Sequence, residues 1–307
     1  MSARHPDTGT YAIVLAGGFG RRLEPVIRVY ARGLIPKQFC TFGRGRSLLL
    51  ETLRRIGPAA SRDRTAVVVD ASQERRAARQ LRGAPAVELV LQPCDRGTGA
   101  GVLLPLHHLL ARDPEARILL TPSDHAVVDR RAYLTGLRAA ERALDGGAAD
   151  AVVFGVESSA PNPDYGWIST GRALGPNLSE VRGFAEKPPA AEAVRLHEAG
   201  ALWNTMVVLA RGKALEEHYE RRLPTLAAPF RAAFRHPAGE RDAMLRRIYP
   251  TLPKSDFSRD ILGTLRGLAV VRWPVAMGWS DLGTPERLAA WLGQEEARDA
   301  ELAALGS

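Results

Sequence analysis

From Tyr11 to about Val156, short aliphatic and β-branched runs alternate with amphipathic stretches, the pattern of repeated strand–helix units feeding a mostly parallel sheet. Strands are predicted at Tyr11–Leu15, Ala66–Val69, Val87–Leu91, Arg117–Leu120 and Ala151–Val156. Helices are predicted at Ser47–Ile56, Ser72–Arg82, Thr98–Ala111 and Arg131–Leu144, the last closed by Gly146-Gly147. Beyond Val156 the pattern becomes turn-rich, then predicts strands at Val181–Ala185 and Thr205–Ala210, with helices between Ala190 and Phe234. This half reads as an extension of the same sheet plus an antiparallel piece. No Gly/Ser linker and no internal repeat divides the chain. One two-lobed α/β domain is therefore expected over residues 10–292, between a flexible N-terminus (1–9) and a polar, alanine-rich tail (293–307).

Composition narrows the class. At 307 residues, 45% hydrophobic and 25% charged, the chain has the make-up of a globular protein with a sizeable core, which excludes collagen-like, disordered and disulfide-scaffold classes. Its apolar runs are far shorter than the roughly 18–20 residues of a membrane span. The N-terminus lacks the apolar core of a secretory signal, and Cys40 and Cys94 are too sparse for a disulfide framework, so a cytoplasmic protein with reduced thiols is expected. The net charge of +8 is spread among acidic residues, which fits a solvated mixed surface better than a nucleic-acid footprint. Of the 42 basic side chains four are lysines, Lys37, Lys187, Lys213 and Lys254. In so arginine-rich a chain, a retained lysine draws attention to sites where a compact ammonium is needed and a planar fork is not. Pro36-Lys37 and Glu186-Lys187-Pro188 are two such places.

The first predicted strand runs into Leu15-Ala16-Gly17-Gly18-Phe19-Gly20-Arg21-Arg22-Leu23-Glu24-Pro25. Glycines directly after a buried strand let backbone N–H groups approach phosphate oxygens. A Rossmann fingerprint wants a third glycine where Leu23 stands, and a P-loop wants GK followed by Ser or Thr, so neither fits. Taken alone, the segment fits a tight strand-to-helix turn equally well. Pro36-Lys37-Gln38-Phe39 changes the reading. Gly17, Gly18, Gly20, Arg22, Leu23 and Pro25, followed by Pro36, Lys37 and Gln38, resemble the GGxGxRLxP and PKQ signature of the sugar-1-phosphate nucleotidyltransferases, and within them the chain is most similar to mannose-1-phosphate guanylyltransferases. The resemblance continues through Pro122-Ser123-Asp124-His125, Tyr165-Gly166-Trp167-Ile168, Glu186-Lys187-Pro188, Leu202-Trp203-Asn204-Thr205 and Gly278-Trp279-Ser280-Asp281-Leu282-Gly283. It spans about Tyr11 to Leu292.

The resemblance implies a Rossmann-like nucleotide-diphospho-sugar transferase fold, a mixed but mostly parallel sheet flanked by helices. It assigns nucleotide binding to Leu15, Ala16, Gly17, Gly18, Gly20, Arg22, Gln92, Gly97, Thr98 and Asp124. It assigns sugar-phosphate binding to Gly166, Glu186, Lys187 and Asn204, and catalysis to Arg22, Lys37, Asp124, Lys187 and Asp281. Asp124 and Asp281 are implied to share one Mg²⁺, a hard ion usually held by one or two carboxylates with phosphate oxygens and water. His125 is read as a hydrogen-bonding group beside this ion. His107 and His108, adjacent on one helix, face different sides and make a poor metal pair. Trp167, Trp203 and Trp279 suit either a pocket wall or plain core.

Two departures bear on specificity. Where many guanylyltransferases carry an EPxxRNTAPA-like segment beside the base, this chain has Gln92-Pro93-Cys94-Asp95-Arg96-Gly97-Thr98-Gly99-Ala100, and after Trp203-Asn204 it has Thr205-Met206. The sequence shows no C-terminal isomerase domain or left-handed β-helix, so neither a bifunctional nor a hexapeptide-regulated form is expected. The implied reaction joins an NTP, foremost GTP, to a sugar 1-phosphate, foremost mannose 1-phosphate, with release of pyrophosphate. Alternatives are a uridylyl-, adenylyl- or cytidylyltransferase for another hexose or cyclitol phosphate, and a non-catalytic NDP-sugar sensor. No nucleic-acid or membrane partner is implied, and a homodimer is left open.

Overall fold

The computed structural model describes residues 9–31 and 35–294. The expected N-terminal arm and C-terminal tail lie almost wholly outside the described residues. The chain runs Thr10–Leu15 (β1), Glu24–Ala31 (α1), Leu48–Ile56 (α2), Thr65–Asp70 (β2), Glu74–Gln80 (α3), Glu88–Gln92 (β3), Gly97–Leu110 (α4), Arg117–Pro122 (β4) and Arg130–Asp145 (α5). It continues Ala151–Glu157 (β5), Gly166–Gly175 (β6), Leu178–Glu186 (β7), Ala190–Glu198 (α6), Leu202–Arg211 (β8), Gly212–Arg222 (α7), Pro224–Ala233 (α8), Ala238–Ile248 (α9) and Leu268–Trp273 (β9). Residues 285–294 are helical.

Among the described residues the strands form one sheet in the order β3-β2-β1-β4-β8-β5-β9-β7-β6, with β6 also touching β8. The first half obeys its pattern: β1, β2, β3 and β4 are parallel neighbours joined by helical crossovers. The expectation of a mostly parallel sheet is corrected by the second half. Strand β8 runs antiparallel between β4 and β5, β6 and β7 form an antiparallel hairpin, and β7 pairs antiparallel with β9, so the sheet is mixed. The reversal follows from the connections. Strands β6 and β7 are joined by a two-residue turn at Pro176 and Asn177, with Asn177 at φ 55°, too short to do anything but turn the chain back.

Alternation along the strands sends residues to two cores. Tyr11 and Ile13 of β1 pack with Ala66 and Val68 under α4, α7 and α8. Ala12 and Val14 pack with Val67 and Val69 toward α2, α3 and α5. Burying each such large apolar side chain stabilises the fold by roughly 1.5–3 kcal/mol before entropy is counted. Caps fix the helix entries facing the site: Ser47 Oγ accepts from Leu50 N on α2, and Asp129 accepts from Arg131 N and Ala132 N on α5. A third, smaller core joins Leu23, Ile27, Phe42, Ala126, Leu282 and Trp291, so the loops that follow β1, β4 and β9 are packed on one another. Their meeting place is the carboxyl edge of β1 and β4, where parallel α/β sheets bind ligands.

Candidate active site

The glycine loop after β1 is held by two side-chain amides. Gln38 Nε2 donates to the carbonyls of Ala16 (2.5 Å) and Gly18 (2.9 Å) and to Gln73 Oε1 (3.0 Å), while Gln73 Nε2 donates to the Gly17 carbonyl (2.9 Å). These bonds engage the carbonyls of Ala16, Gly17 and Gly18, while Ala16 N donates to Val68 O (2.8 Å). Gly20 sits at φ 60°, and a Cβ there would come within 2.7 Å of Lys37 Cβ, so both its conformation and its neighbour require glycine. Leu15, Gly17, Gly18 and Gly20 line a cleft of about 980 Å³, shared with Gln92, Gly97, Thr98 and Asp124.

Lys37 is buried beneath the loop. Its Nζ lies 2.9 Å from Asp124 Oδ2 and donates to the Asp281 carbonyl at 2.6 Å. The two aspartates, far apart in sequence, are brought together by a short antiparallel bridge in which Ala126 N donates to Ser280 O (2.8 Å) and Ser280 N to Ala126 O (3.1 Å). Both line a smaller cavity of about 380 Å³ with Gly20, Arg22 and Lys37. Burial is the largest influence and works against the charge on Asp124, but the Lys37 ammonium together with His125 holds the carboxyl below its ordinary range. For Asp281 burial is likewise opposed, first by His125 and then by Arg287, Lys37 and the Gly283 amide, and the carboxyl again lies below its ordinary range. Burial pushes His125 down to about 4, so its imidazole is neutral, and its Nδ1 is buried without a hydrogen-bond partner.

Asp281 is further fixed by Arg287, whose Nη1 lies 2.9 and 3.0 Å from its two oxygens, and by the Tyr165 hydroxyl, which donates to Oδ1 at 3.2 Å. Arg287 also stacks over the Tyr165 ring at 4.4 Å and reaches Asp164, the partner of the exposed Arg22. Trp203 and Trp279 pack against Tyr165, and Trp279 against His125. The tryptophans are therefore buried supports behind the site. Trp167 is fully buried as well.

The opposite wall of the cleft is a strap, Lys254 to Phe257, laid across the start of α4. Gly99 N donates to Ser255 O (3.0 Å), Ser255 N to Arg96 O (3.2 Å) and Phe257 N to Thr98 Oγ1 (2.8 Å). A Cβ at Gly97 or Gly99 would run into Ser255. Gly97 and Gly99, which stand where the family segment has Asn and Ala, are thus positions that let this strap close on the helix. Gln92 is buried next to Gly17 and Gly101, with Oε1 accepting from the Tyr249 hydroxyl at 3.4 Å.

Gly166, Glu186 and Asn204 form a separate cluster. A Cβ at Gly166 would approach Glu186 Oε2 to 2.6 Å and Asn204 Cβ to 3.2 Å. Asn204 Oδ1 accepts from Met206 N (3.0 Å) and its Nδ2 donates to Ser258 Oγ (3.3 Å), and Met206 in turn lines the large cleft. Lys187 has φ 47°, its N donates to Tyr165 O (3.2 Å), and its exposed ammonium rests on Glu186. The sequence-predicted residues thus fall into three groups: the cleft residues, the Lys37–Asp124–Asp281 centre with Arg22, and the Gly166–Glu186–Lys187–Asn204 cluster. Ala16 lies outside the cleft lining, buried with its carbonyl taken by Gln38. His107 and His108 pair with different carboxylates, Glu216 and Glu88. Sequence reasoning missed Tyr165 as a hydrogen-bond donor, Gln73, the strap and Arg287; Tyr165 was within a quoted motif, but nothing local marks the others.

This chain matches the nucleotidyl transferase family over residues 11–296 and belongs to that family. It is 29% identical over 281 residues to the xanthan biosynthesis protein XanB of Xanthomonas campestris, covering 89% of this chain and 57% of XanB. A mannose-1-phosphate guanylyltransferase of Sinorhizobium fredii is 29% identical over 292 residues, 93% of this chain and 55% of that protein. The chain thus spans about half the length of the curated relatives it matches. Among solved structures, one described as a mannose-1-phosphate geranyltransferase from Thermus thermophilus superposes with a TM-score of 0.78 at 30% identity, covering 90% of this chain and 76% of that one. No helix among the described residues is long and apolar enough to cross a membrane.

Proposed function

We propose that this chain transfers the guanylyl group of GTP to mannose 1-phosphate, forming GDP-mannose and pyrophosphate. The observation that carries the reading is the convergence of Asp124 and Asp281 on Lys37 beside the glycine loop, at the ligand-binding edge of the sheet. Relatives that align over about 90% of this chain, at 27% and 29% identity, include mannose-1-phosphate guanylyltransferases, which favours this base and sugar within the family.

The sugar phosphate is already an anionic nucleophile at neutral pH. One of its oxygens attacks the α-phosphorus, the new P–O bond forms, and the α–β bond breaks with pyrophosphate leaving; no general base is required. The protein's task is positioning and charge neutralisation. The Gly17–Gly20 N–H groups and Arg22 hold the triphosphate, and the Lys37 ammonium stands over the reacting phosphates. Lys187, Glu186 and Asn204 take the sugar phosphate and its hydroxyls, with Gly166 leaving space beside them.

Asp124 and Asp281 fit a Mg²⁺ ion: both are oxygen donors kept ionised by neighbouring cations, and their loops are bridged. No group of three or more His, Cys, Asp and Glu side chains suited to a metal comes together among the described residues, so phosphate oxygens and water would complete its shell. When bound, the ion would neutralise charge on the α-phosphate.

The test is a panel of GTP, ATP, UTP and CTP against mannose, glucose and other hexose 1-phosphates, with products identified by mass. GTP with mannose 1-phosphate should give the highest kcat/KM, at least about tenfold above the other bases, since one buried unpaired group at the base edge costs roughly 1–3 kcal/mol. A different preferred base would overturn the guanylyl reading, and absence of any nucleotide sugar would overturn the activity.

A further inference from the structure

The segment after Asp124, His125 to Val128, also forms one wall of a different cavity of about 610 Å³. The other walls are the 44–46 turn, α2 and the start of α5. Six arginines line it: Arg44, Arg46, Arg54, Arg55, Arg130 and Arg131. Among the described residues one carboxylate, Glu51, shares the lining, and it is divided between Arg54 (2.8 Å) and Arg46 (3.6 Å).

Two of the guanidinium groups are incompletely satisfied. Arg55 is buried; its Nη2 donates to Thr52 Oγ1 (2.9 Å) and the His125 carbonyl (3.2 Å), but its Nε is buried without a partner. Arg130 donates from Nη2 to the Arg54 carbonyl (2.5 Å), and its Nε is also buried and unpartnered. Burial lowers the proton affinity of both, and the nearby Arg54 charge lowers that of Arg130 further. Arg55 also lies over the Tyr133 ring at 5.3 Å, but holding its guanidinium out of water with Nε unpartnered costs free energy that a hydrogen-bonding anion would offset. Guanidinium groups present planar pairs of donors matched to phosphate oxygens. The cavity is concave and within the usual size of small-ligand pockets, which suits a compact polyanion better than a duplex or a membrane surface.

We propose that this cavity is a binding site for a small, multiply charged phosphate compound of the di- or triphosphate class, separate from the substrate cleft. The reading is independent of which nucleotide or sugar the cleft takes.

The test is calorimetric titration of inorganic triphosphate into the full chain in EDTA, comparing wild type with Arg54→Glu/Arg131→Glu. Both side chains are exposed and outside the proposed catalytic machinery. Wild type should bind at two sites, the glycine-loop cleft and the cavity; the double variant should retain the cleft site and weaken the cavity site at least about tenfold, with kcat/KM for nucleotidyl transfer within about twofold. Should the double charge reversal fail to fold, Arg46→Ala in the exposed turn should weaken the same site about threefold. Pyrophosphate and GDP titrated in parallel distinguish an inorganic ligand from a nucleotide. A single site in the wild type, or unchanged stoichiometry and affinity in the folded variants, would overturn the proposal.

Discussion

Asp124, Asp281 and Lys37 make opposite demands on one small volume, two negative charges and one positive, and the balance is visible in the bonds each makes. Asp124→Asn and Asp281→Asn keep the volume and most hydrogen bonds but remove a hard ligand and a charge, so each should fold and lose at least about 100-fold in kcat. Circular dichroism with steady-state kinetics checks both, and near-normal kcat in a folded variant would remove that residue from the centre. Lys187 should behave differently. Its ammonium is exposed on Glu186 and outside the lining of the glycine-loop cleft, so Lys187→Ala should raise KM for the sugar phosphate far more than KM for the nucleotide; equal effects would refute its assignment. These residues were legible because each stands in a short motif with distinctive chemistry. Tyr165 and Arg287 escaped as partners of Asp281 because their roles arise from contact: Tyr165 meets Asp281 across 116 residues, and no local pattern encodes that meeting.

At the scale of elements, the strap and α4 depend on missing side chains. Alanine normally improves a helix interior by about 1 kcal/mol over glycine, yet a Cβ at Gly99 runs into Ser255, and overpacking of this kind costs about 1–3 kcal/mol. Gly99→Ala should therefore lower Tm by a few degrees, and Ser255→Gly added to it should restore the loss by removing the obstructing atoms. An undiminished Tm in the single variant would show that the strap yields easily. The same elements mark what sequence patterns reveal. Strands β1, β2, β4 and β5 are apolar and bounded by turns, so they stand out. Of the hairpin, β7 is signalled by the predicted strand Val181–Ala185, whereas β6 is not, because much of it is partly exposed and Gly166–Gly175 reads as turn-rich. Strand β9 has as apolar a run as β2, but nothing in Leu268–Trp273 tells that it will insert parallel beside β5, and nothing in Leu202–Arg211 tells that β8 will run antiparallel between β4 and β5 and make the sheet mixed.

At the scale of the whole fold, the nine strands of the described residues bring three loops to one edge of the sheet, and the third core locks those loops together. The positive charge is partly concentrated: the arginine-lined cavity adjoins the carboxylate-bearing segment, whereas the net charge alone gave no hint of its location. The most direct measurement is pyrophosphate release by the purified chain with GTP and mannose 1-phosphate, with and without Mg²⁺, in wild type and Asp281→Asn. Release should require both substrates and Mg²⁺, match GDP-mannose formation mole for mole, and fall at least about 100-fold in Asp281→Asn. Release that proceeds equally without the sugar phosphate, or that is unchanged in the folded Asp281→Asn variant, would show that this carboxylate centre does not carry out nucleotidyl transfer.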